Sequence, residues 1–323
     1  MQAMNLTLLP TLLLATPSAI PPIHIDAALS GRPSYFDSLL FCLGMQTPQS
    51  PTSLNKGEYP ACAAMTTGYV FRVENQATVM YLQRVGRTGH LVTLDVTSGG
   101  IRSPLRPLAY LPAILLAGGL RLAPLDWYVK IAILFLLLSR ILSIASLRAK
   151  TVPSWHGAPE PGVKGDLLIL LSEDRWIRIK GLVDDLKAVT SGSWLNQPEY
   201  PQLVEAMDWM ARLLVYIAVV VLGNAEDSAK IALILSALLG HGIVALSNSR
   251  ANELVMNKRR LKISEEPGSI KKYSRRLEMA EELIKEMGRS DFAVRLGMIN
   301  REQVKTSSST TNGESVADEA VTM

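Results

Sequence analysis

Ile131 to Leu147 reads IAILFLLLSRILSIASL, and Ile231 to Ser249 reads IALILSALLGHGIVALSNS. Arg140 alone interrupts the first run, and the second carries no formal charge. A helix that crosses a hydrocarbon layer of about 30 Å needs roughly 20 mostly apolar residues, and both runs meet that requirement. Two weaker runs precede them. Pro107 to Leu120 continues past Arg121 to Pro124, and Leu213 to Ala225 spans only if 203–212, with Glu205, Asp208 and Arg212, supplies its first turns. Short links at 123–126 and 223–227 force each pair to be antiparallel. The expected fold class is therefore an α-helical integral membrane protein with about four transmembrane helices as two hairpins, and a small α+β cytosolic domain split in sequence.

Composition agrees with a folded, apolar chain. Of 323 residues, 48% are hydrophobic and 19% charged, with 33 Lys+Arg against 29 Asp+Glu for a net charge of +4. Ordinary globular chains carry about 25% charged residues, so disorder and collagen-like repeats are excluded for the bulk of the sequence. Two cysteines exclude a disulfide scaffold. Leu6 to Ala15 is apolar, but no Lys or Arg precedes Arg32 and no small-residue cleavage site follows, so a cleaved signal peptide is not expected.

Positive residues orient the expected spans. Arg84, Arg87, Arg102 and Arg106 precede the first, Arg148 and Lys150 follow the second, and Arg250 follows the fourth, whereas Asp126, Glu226 and Asp227 occupy the turns. The positive-inside rule then puts both termini of an integral membrane protein in the cytosol. Small residues recur every four positions at Ala109, Ala113 and Ala117, at Ser139 and Ser143, and at Ser228, Ala232, Ser236 and Gly240. Such stripes seat helices within one chain or between copies, and both a single chain and a homo-oligomer fit. Arg140 and His241 are the intramembrane polar candidates, because an ionisable group at that depth must pair, snorkel or line a cavity. Asp208 is one candidate partner for Arg140.

The remaining chain divides into an irregular Pro-rich arm (1–60), a cytosolic β-meander (61–104) before the first hairpin (105–148), a β-hairpin plus helix (149–200) before the second (201–249), a basic flank with an amphipathic helix (250–304), and a disordered tail (305–323). Strands are expected at 69–74, 78–85 and 90–97, and at 166–171 and 175–180 around the turn Ser172-Glu173-Asp174. Ile270, Tyr273, Leu277, Ala280, Ile284 and Met287 recur at helical spacing, with Gly288 as the stop. Lys258, Arg259, Arg260, Lys262, Lys271, Lys272, Arg275 and Arg276 are candidates for anionic lipid headgroups, each worth about 1 kcal/mol at a charged membrane surface; a solvated helix with ordinary positive flanks explains them equally.

No catalytic motif stands out. There is no GxGxxG, Walker loop, HExxH or GxSxG, and His24, His90, His156 and His241 lack metal-ligand spacing, so no catalytic residue, metal or cofactor is expected. Asp184-Asp185 with Lys187 is the densest polar cluster, and a solvated helix start accounts for it. Nucleic-acid binding is not expected, because the basic residues flank apolar spans. The stretches EYPACAAMTTGYVFRVE, YLQRVGRTGHLVTLDVTSGGIRSPLRPLAYLP, GDLLILLSEDRWIRIKGLVDDLKAVTSGSWL and AEELIKEMGRSDFAVRLGMI resemble a group of fungal multi-pass membrane proteins without an assigned function. That resemblance covers about 58–299, implies fold and location, and transfers no site residue. The expectation is a non-enzymatic binding or scaffold protein with the bilayer, anionic lipid or a cytosolic protein as partner. The alternatives are a small transporter or channel subunit using Arg140 and His241, and a membrane-surface enzyme using the Asp184 region.

Overall fold

The computed structural model describes residues 6–99, 106–112, 114, 126–153 and 157–300. Its centre is an eight-stranded mixed sheet rather than a helical bundle. The strands are β1 (Ala61–Ala64), β2 (Val70–Arg72), β3 (His90–Ser98), β4 (Lys164–Leu171), β5 (Arg175–Leu182), β6 (Glu253–Met256), β7 (Arg259–Ile263) and β8 (Ile270–Lys272). Their order is β2-β1-β4-β5-β3-β7-β6, with β8 also on β3. Only β3 and β5 run parallel; every other pairing is antiparallel.

The strand sequences explain why both faces of this sheet are covered. Leu167 to Leu171 is uninterrupted aliphatic, the signature of a strand buried on both sides. Leu167, Ile169, Leu171, Ile177 and Ile179 join Val92, Leu94 and Val96 in one core, into which α3 (Gln76–Val85) and α5 (Val183–Thr190) pack. The alternate residues Leu168, Trp176 and Leu91 meet Met279, Ala280 and Leu283 of α8 (Arg276–Met287) and Phe292 of α9 (Asp291–Arg295) on the other face. The two-residue turns Glu173-Asp174 and Asn257-Lys258 have positive φ at both positions, the backbone that the right-handed twist of a tight hairpin requires. Arg178 ties α8 to the sheet: it donates to both carboxylate oxygens of Asp166 at 2.6–3.0 Å and to Glu286 at 2.7 Å.

The apolar part is built from α4 (Trp127–Lys150), α6 (Pro201–Leu222) and α7 (Asp227–Ser249). Of these, α4 and α7 are long and apolar enough to cross a membrane. This corrects the expected four-span helical fold: the described chain is an α/β fold with two such helices. In α6 the charges Glu205, Asp208 and Arg212 spoil the apolar run, and most of the expected first span, at 113 and 115–125, lies outside the described residues. The second hairpin also opens. Although four residues separate α6 from α7, α6 packs along α4, where Ser139 Oγ donates to the Ala211 carbonyl at 2.7 Å. By contrast, α7 packs against the 3-10 helix Leu6–Leu14, the turn Arg106–Tyr110 and α1 (Pro22–Leu29).

The wedge between them is the N-terminal arm, which the proline count had marked as irregular. Leu13, Phe41, Leu43 and Met45 fill one core with Val215 and Val219 of α6 and Leu233 and Ala237 of α7. A Cβ on Gly240 would stand 2.4 Å from the Phe41 carbonyl oxygen, so the small-residue stripe of α7 admits the chain's own backbone at this point.

Three smaller expectations also change. Residues 78–85 form helix rather than strand, because Asn75 caps the Thr78 amide at 3.0 Å and Val79 and Leu82 fall on one buried face. Ile270 and Tyr273 precede the C-terminal helix, since Ile270–Lys272 extends the sheet along His90–Val92, the part of β3 that β7 leaves uncovered. The helix itself ends at Gly288 in the left-handed region, at φ 64°, as expected. The basic flank, given no structure from sequence, folds as the β6–β7 hairpin.

Candidate functional site

Arg140 sits where α4 meets the N-terminal arm. Its side chain is buried, its Nη2 donates to the Asp37 carbonyl at 3.4 Å, and its Nε has no partner among the described residues. The carboxylates of Asp37 and Asp26 act on the guanidinium from α1 and the turn Tyr35–Leu39. Asp37 is itself held by the Tyr110 hydroxyl at 2.7 Å and the Ser34 amide at 2.8 Å. A cavity of about 70 Å³ opens beside Arg140, lined by His24, Asp26, Asp37, Lys150 and Asp208. At roughly 30 Å³ per water it has room for about two waters. Burial first, and the Arg140 charge second, press the His24 imidazole down to about 4, so it is neutral at pH 7.

The Arg140–Asp208 pair does not form. Asp208 pairs with Lys150 and accepts from Ser146, because both lie near the C-terminal end of α4, about two to three turns beyond Arg140. His241 does not line the Arg140 cavity; it lies against the backbone of Leu43, and its Nδ1 has no partner among the described residues. The two intramembrane candidates therefore share no site in this cavity. Of the Asp184 region, Asp185 pairs with Arg259 and Asp184 accepts the Glu160 amide at 2.8 Å. Both carboxylates hold the fold together.

The eight basic candidates are also partly used internally. Arg259 pairs with Asp185, Arg260 with Glu253, Lys262 with Glu265, Lys271 with Glu282, and Arg276 with Asp174. Lys258, Lys272 and Arg275 have no ion pair among the described residues. Folding thus distributes the run over a hairpin, a short strand and a helix start, and neutralises five of its charges.

A roomier cavity was not foreseen from sequence. It holds about 620 Å³ between the β1–β2 hairpin, the start of β4 and α5, within the range of about 300–1,000 Å³ typical of small-molecule sites. None of its lining comes from α4, α6 or α7. Leu167, Val183 and Leu186 supply aliphatic walls, and Phe71 and Tyr69 lie at its side with ring centroids 6.0 Å apart and planes 21° apart. Tyr69 is 65% exposed. The charged lining residues are Arg72, Glu74, Glu160, Lys164, Asp166 and Lys187. Asp166 is taken by Arg178 and Glu160 by Lys187, which leaves Arg72, Lys164 and Glu74 without an ion pair among the described residues.

Part of this was legible. Tyr69 and Phe71, two apart in an expected strand, must share a face. Nothing in sequence, however, says that α5 and the loop at 157–163 stand off from that face. Comparison with family models, with curated proteins and with solved structures finds no match.

Proposed function

We propose that the chain is a membrane-held, non-enzymatic binding protein in which α4 and α7 enter the bilayer and the sheet forms a ligand- or partner-binding module in the adjoining water. One observation carries this reading: the outward faces of both helices are aliphatic. On α4 the exposed residues Leu134, Leu138 and Ile141 follow helical spacing, and on α7 so do Ile231, Leu235, Leu238, Leu239 and Leu246. A helix at a water surface would put polar residues there, and contiguous apolar patches of this kind mark a membrane or partner interface. At 1.5 Å per residue, 24 and 23 residues give about 36 and 35 Å, enough for a core of about 30 Å.

The ends of the helices support the same arrangement. Trp127 and Tyr128 are exposed at the start of α4, where interfacial aromatics sit. Arg148 and Lys150 close α4, and Arg250 follows α7. Both of these ends adjoin the sheet, since Leu147 packs on its core and β6 starts four residues after α7. The positive-inside rule then favours a cytosolic sheet. The test is alkaline carbonate extraction of membranes from cells making the full chain, followed by flotation of the purified chain with phosphatidylcholine vesicles. Retention in the carbonate pellet and co-flotation are expected. Recovery in the carbonate supernatant, as a chain monodisperse without detergent, would overturn the proposal.

A further inference from the structure

The terminal strand β2 leaves its outer edge open. The Ala64 amide donates to the Tyr69 carbonyl at 2.8 Å, and the Val73 amide to the Pro60 carbonyl at 3.0 Å. Main-chain groups of an antiparallel strand alternate between its two sides, so the N–H and C=O of Val70 and Arg72 point away from β1. None of these four groups has a hydrogen-bond partner among the described residues. At the opposite end of the sheet β6 is covered by the chain itself: a Cβ on Gly31 would stand 2.5 Å from the Val255 carbonyl oxygen, and the Tyr81 hydroxyl donates to the Asn252 carbonyl at 2.7 Å. Unpaired groups along a sheet edge are a template for another extended chain.

The side chains along this edge define what fits. Phe71 lies level with Cys62 and faces the core of α3 and α5, on the side of Leu167 and Leu186, with the Tyr69 ring beside it at 6.0 Å between centroids. The cavity of about 620 Å³ opens on this face, so every second side chain of an added strand enters an apolar space. Val70 and Arg72 point to the opposite face, where Arg72 is exposed and has no ion pair among the described residues. On that same face Arg295 of α9 donates to the Gly68 carbonyl at 3.1 Å. This sets a second guanidinium, also without an ion pair among the described residues, at the start of the edge. Glu74 lies past the open stretch, where its amide donates to the Thr190 carbonyl at 3.1 Å. In strand addition the main-chain bonds supply affinity and the pockets for alternate side chains supply specificity. We infer that the β2 edge binds an extended peptide segment of a partner protein, its apolar side chains in the cavity and its flanking carboxylates at Arg72 and Arg295.

This partner class deepens the binding-module reading but needs no membrane insertion, so the two fail separately. The probe is a fluorescein-labelled peptide of sequence SEFTVES, which presents a glutamate to Arg72 in either strand direction, titrated by fluorescence anisotropy into the full chain in an uncharged detergent. One saturable site is expected. SKFTVKS, with its charges reversed, should bind about threefold to fivefold more weakly, the scale of a cross-strand charge pair, and Arg72→Glu should invert that preference. SEATAES, which lacks the large apolar side chains, should bind about tenfold more weakly. Val70→Pro removes an N–H that β1 does not use and puts its ring on the open side; it should abolish binding while the melting temperature holds. Arg72→Glu alters an exposed side chain and carries the test alone if Val70→Pro does not fold.

Equal binding of SEFTVES by the wild type and a folded Val70→Pro variant overturns the inference, as does a preference for SEFTVES over SKFTVKS that Arg72→Glu leaves intact. Dimerisation that Val70→Pro abolishes, in a chain that ignores the peptide, assigns the edge to a second copy and overturns it too. A chain that fails to float with vesicles yet keeps the Arg72-dependent peptide site refutes membrane insertion alone, and one that floats but ignores SEFTVES refutes the peptide site alone.

Discussion

Replacing Arg178 by Met should destabilise the protein by about 3 kcal/mol, and the same protein should recover when Asp166 becomes Leu as well. The Arg178 and Asp166 side chains are only 8% and 12% exposed, whereas Glu286 is 48% exposed. Loss of the guanidinium strands the Asp166 carboxylate inside the sheet layer, and removing one member of a buried pair costs about 3–5 kcal/mol. Glu286 regains water when freed, so its share is that of a surface pair, below about 1 kcal/mol. For a cooperative unit of 150–250 residues, about 2–4 °C per kcal/mol converts 3 kcal/mol into a fall of about 6–12 °C. Arg178→Met/Asp166→Leu removes both charges together, and apolar replacement of a buried pair is often neutral or better; it should melt within about 1 kcal/mol of the parent. Tryptophan fluorescence of the full chain in detergent is a suitable assay, because Trp176 is buried on this face, edge-on to Tyr273 at 6.4 Å. A loss below about 1 kcal/mol for Arg178→Met, or a double variant no more stable than the single one, would refute the reasoning.

Other perturbations probe the helical part and the acid response. Gly240→Leu should cost about 1–3 kcal/mol or more, since even a Cβ would stand 2.4 Å from the Phe41 carbonyl oxygen; a melting temperature equal to the parent's would show that the arm does not pack there. His24 has a folded-state pKa of about 4 against an ordinary 6.5, so the unfolded chain binds more protons between those values and stability falls as pH drops from about 6.5 to 4. In His24→Gln that part of the slope should vanish in denaturation series at pH 7 and pH 5. The Glu286 carboxyl is held below its usual 4.5 mainly by its hydrogen bond to Arg178, so its contribution persists above pH 4.5 and is lost in acid; Glu286→Gln should be measurably less acid-sensitive than the parent below that pH. Burial pushes the Cys42 thiol up to about 12 and raises that of Cys62. Neither thiolate forms at pH 8, and iodoacetamide should label both only after denaturation; rapid labelling of the native chain would contradict their burial.

The local signals that held were short in range. Glu173-Asp174 between alternating strands, the aliphatic run Leu167 to Leu171, the stop at Gly288 and the two apolar helices all follow from residue type and spacing within one segment. The errors came where distant segments compete for the same surface. The proline-rich arm reads as irregular because prolines suppress repeating backbone bonds, and nothing within it says that Phe41 and Leu43 share one core with α6 and α7. Ile270 and Tyr273 matched a helical repeat, but an unpaired stretch of β3 offered main-chain bonds that the repeat does not encode.

By itself, then, the amino-acid order determined that this chain has two helices apolar enough for a bilayer, a tight hairpin at 166–180, and an amphipathic helix before Gly288, because each depends on periodicity and turn chemistry within about 20 residues. Only the tertiary structure decided that a mixed sheet organises the fold, that Arg140 faces Asp37 and Asp26 rather than Asp208, and that Arg72 and Lys164 flank a cavity. Those outcomes depend on which distant backbone edges and charges meet. Pairing free energies are small and depend on burial, and burial is a property of the assembled chain rather than of any segment.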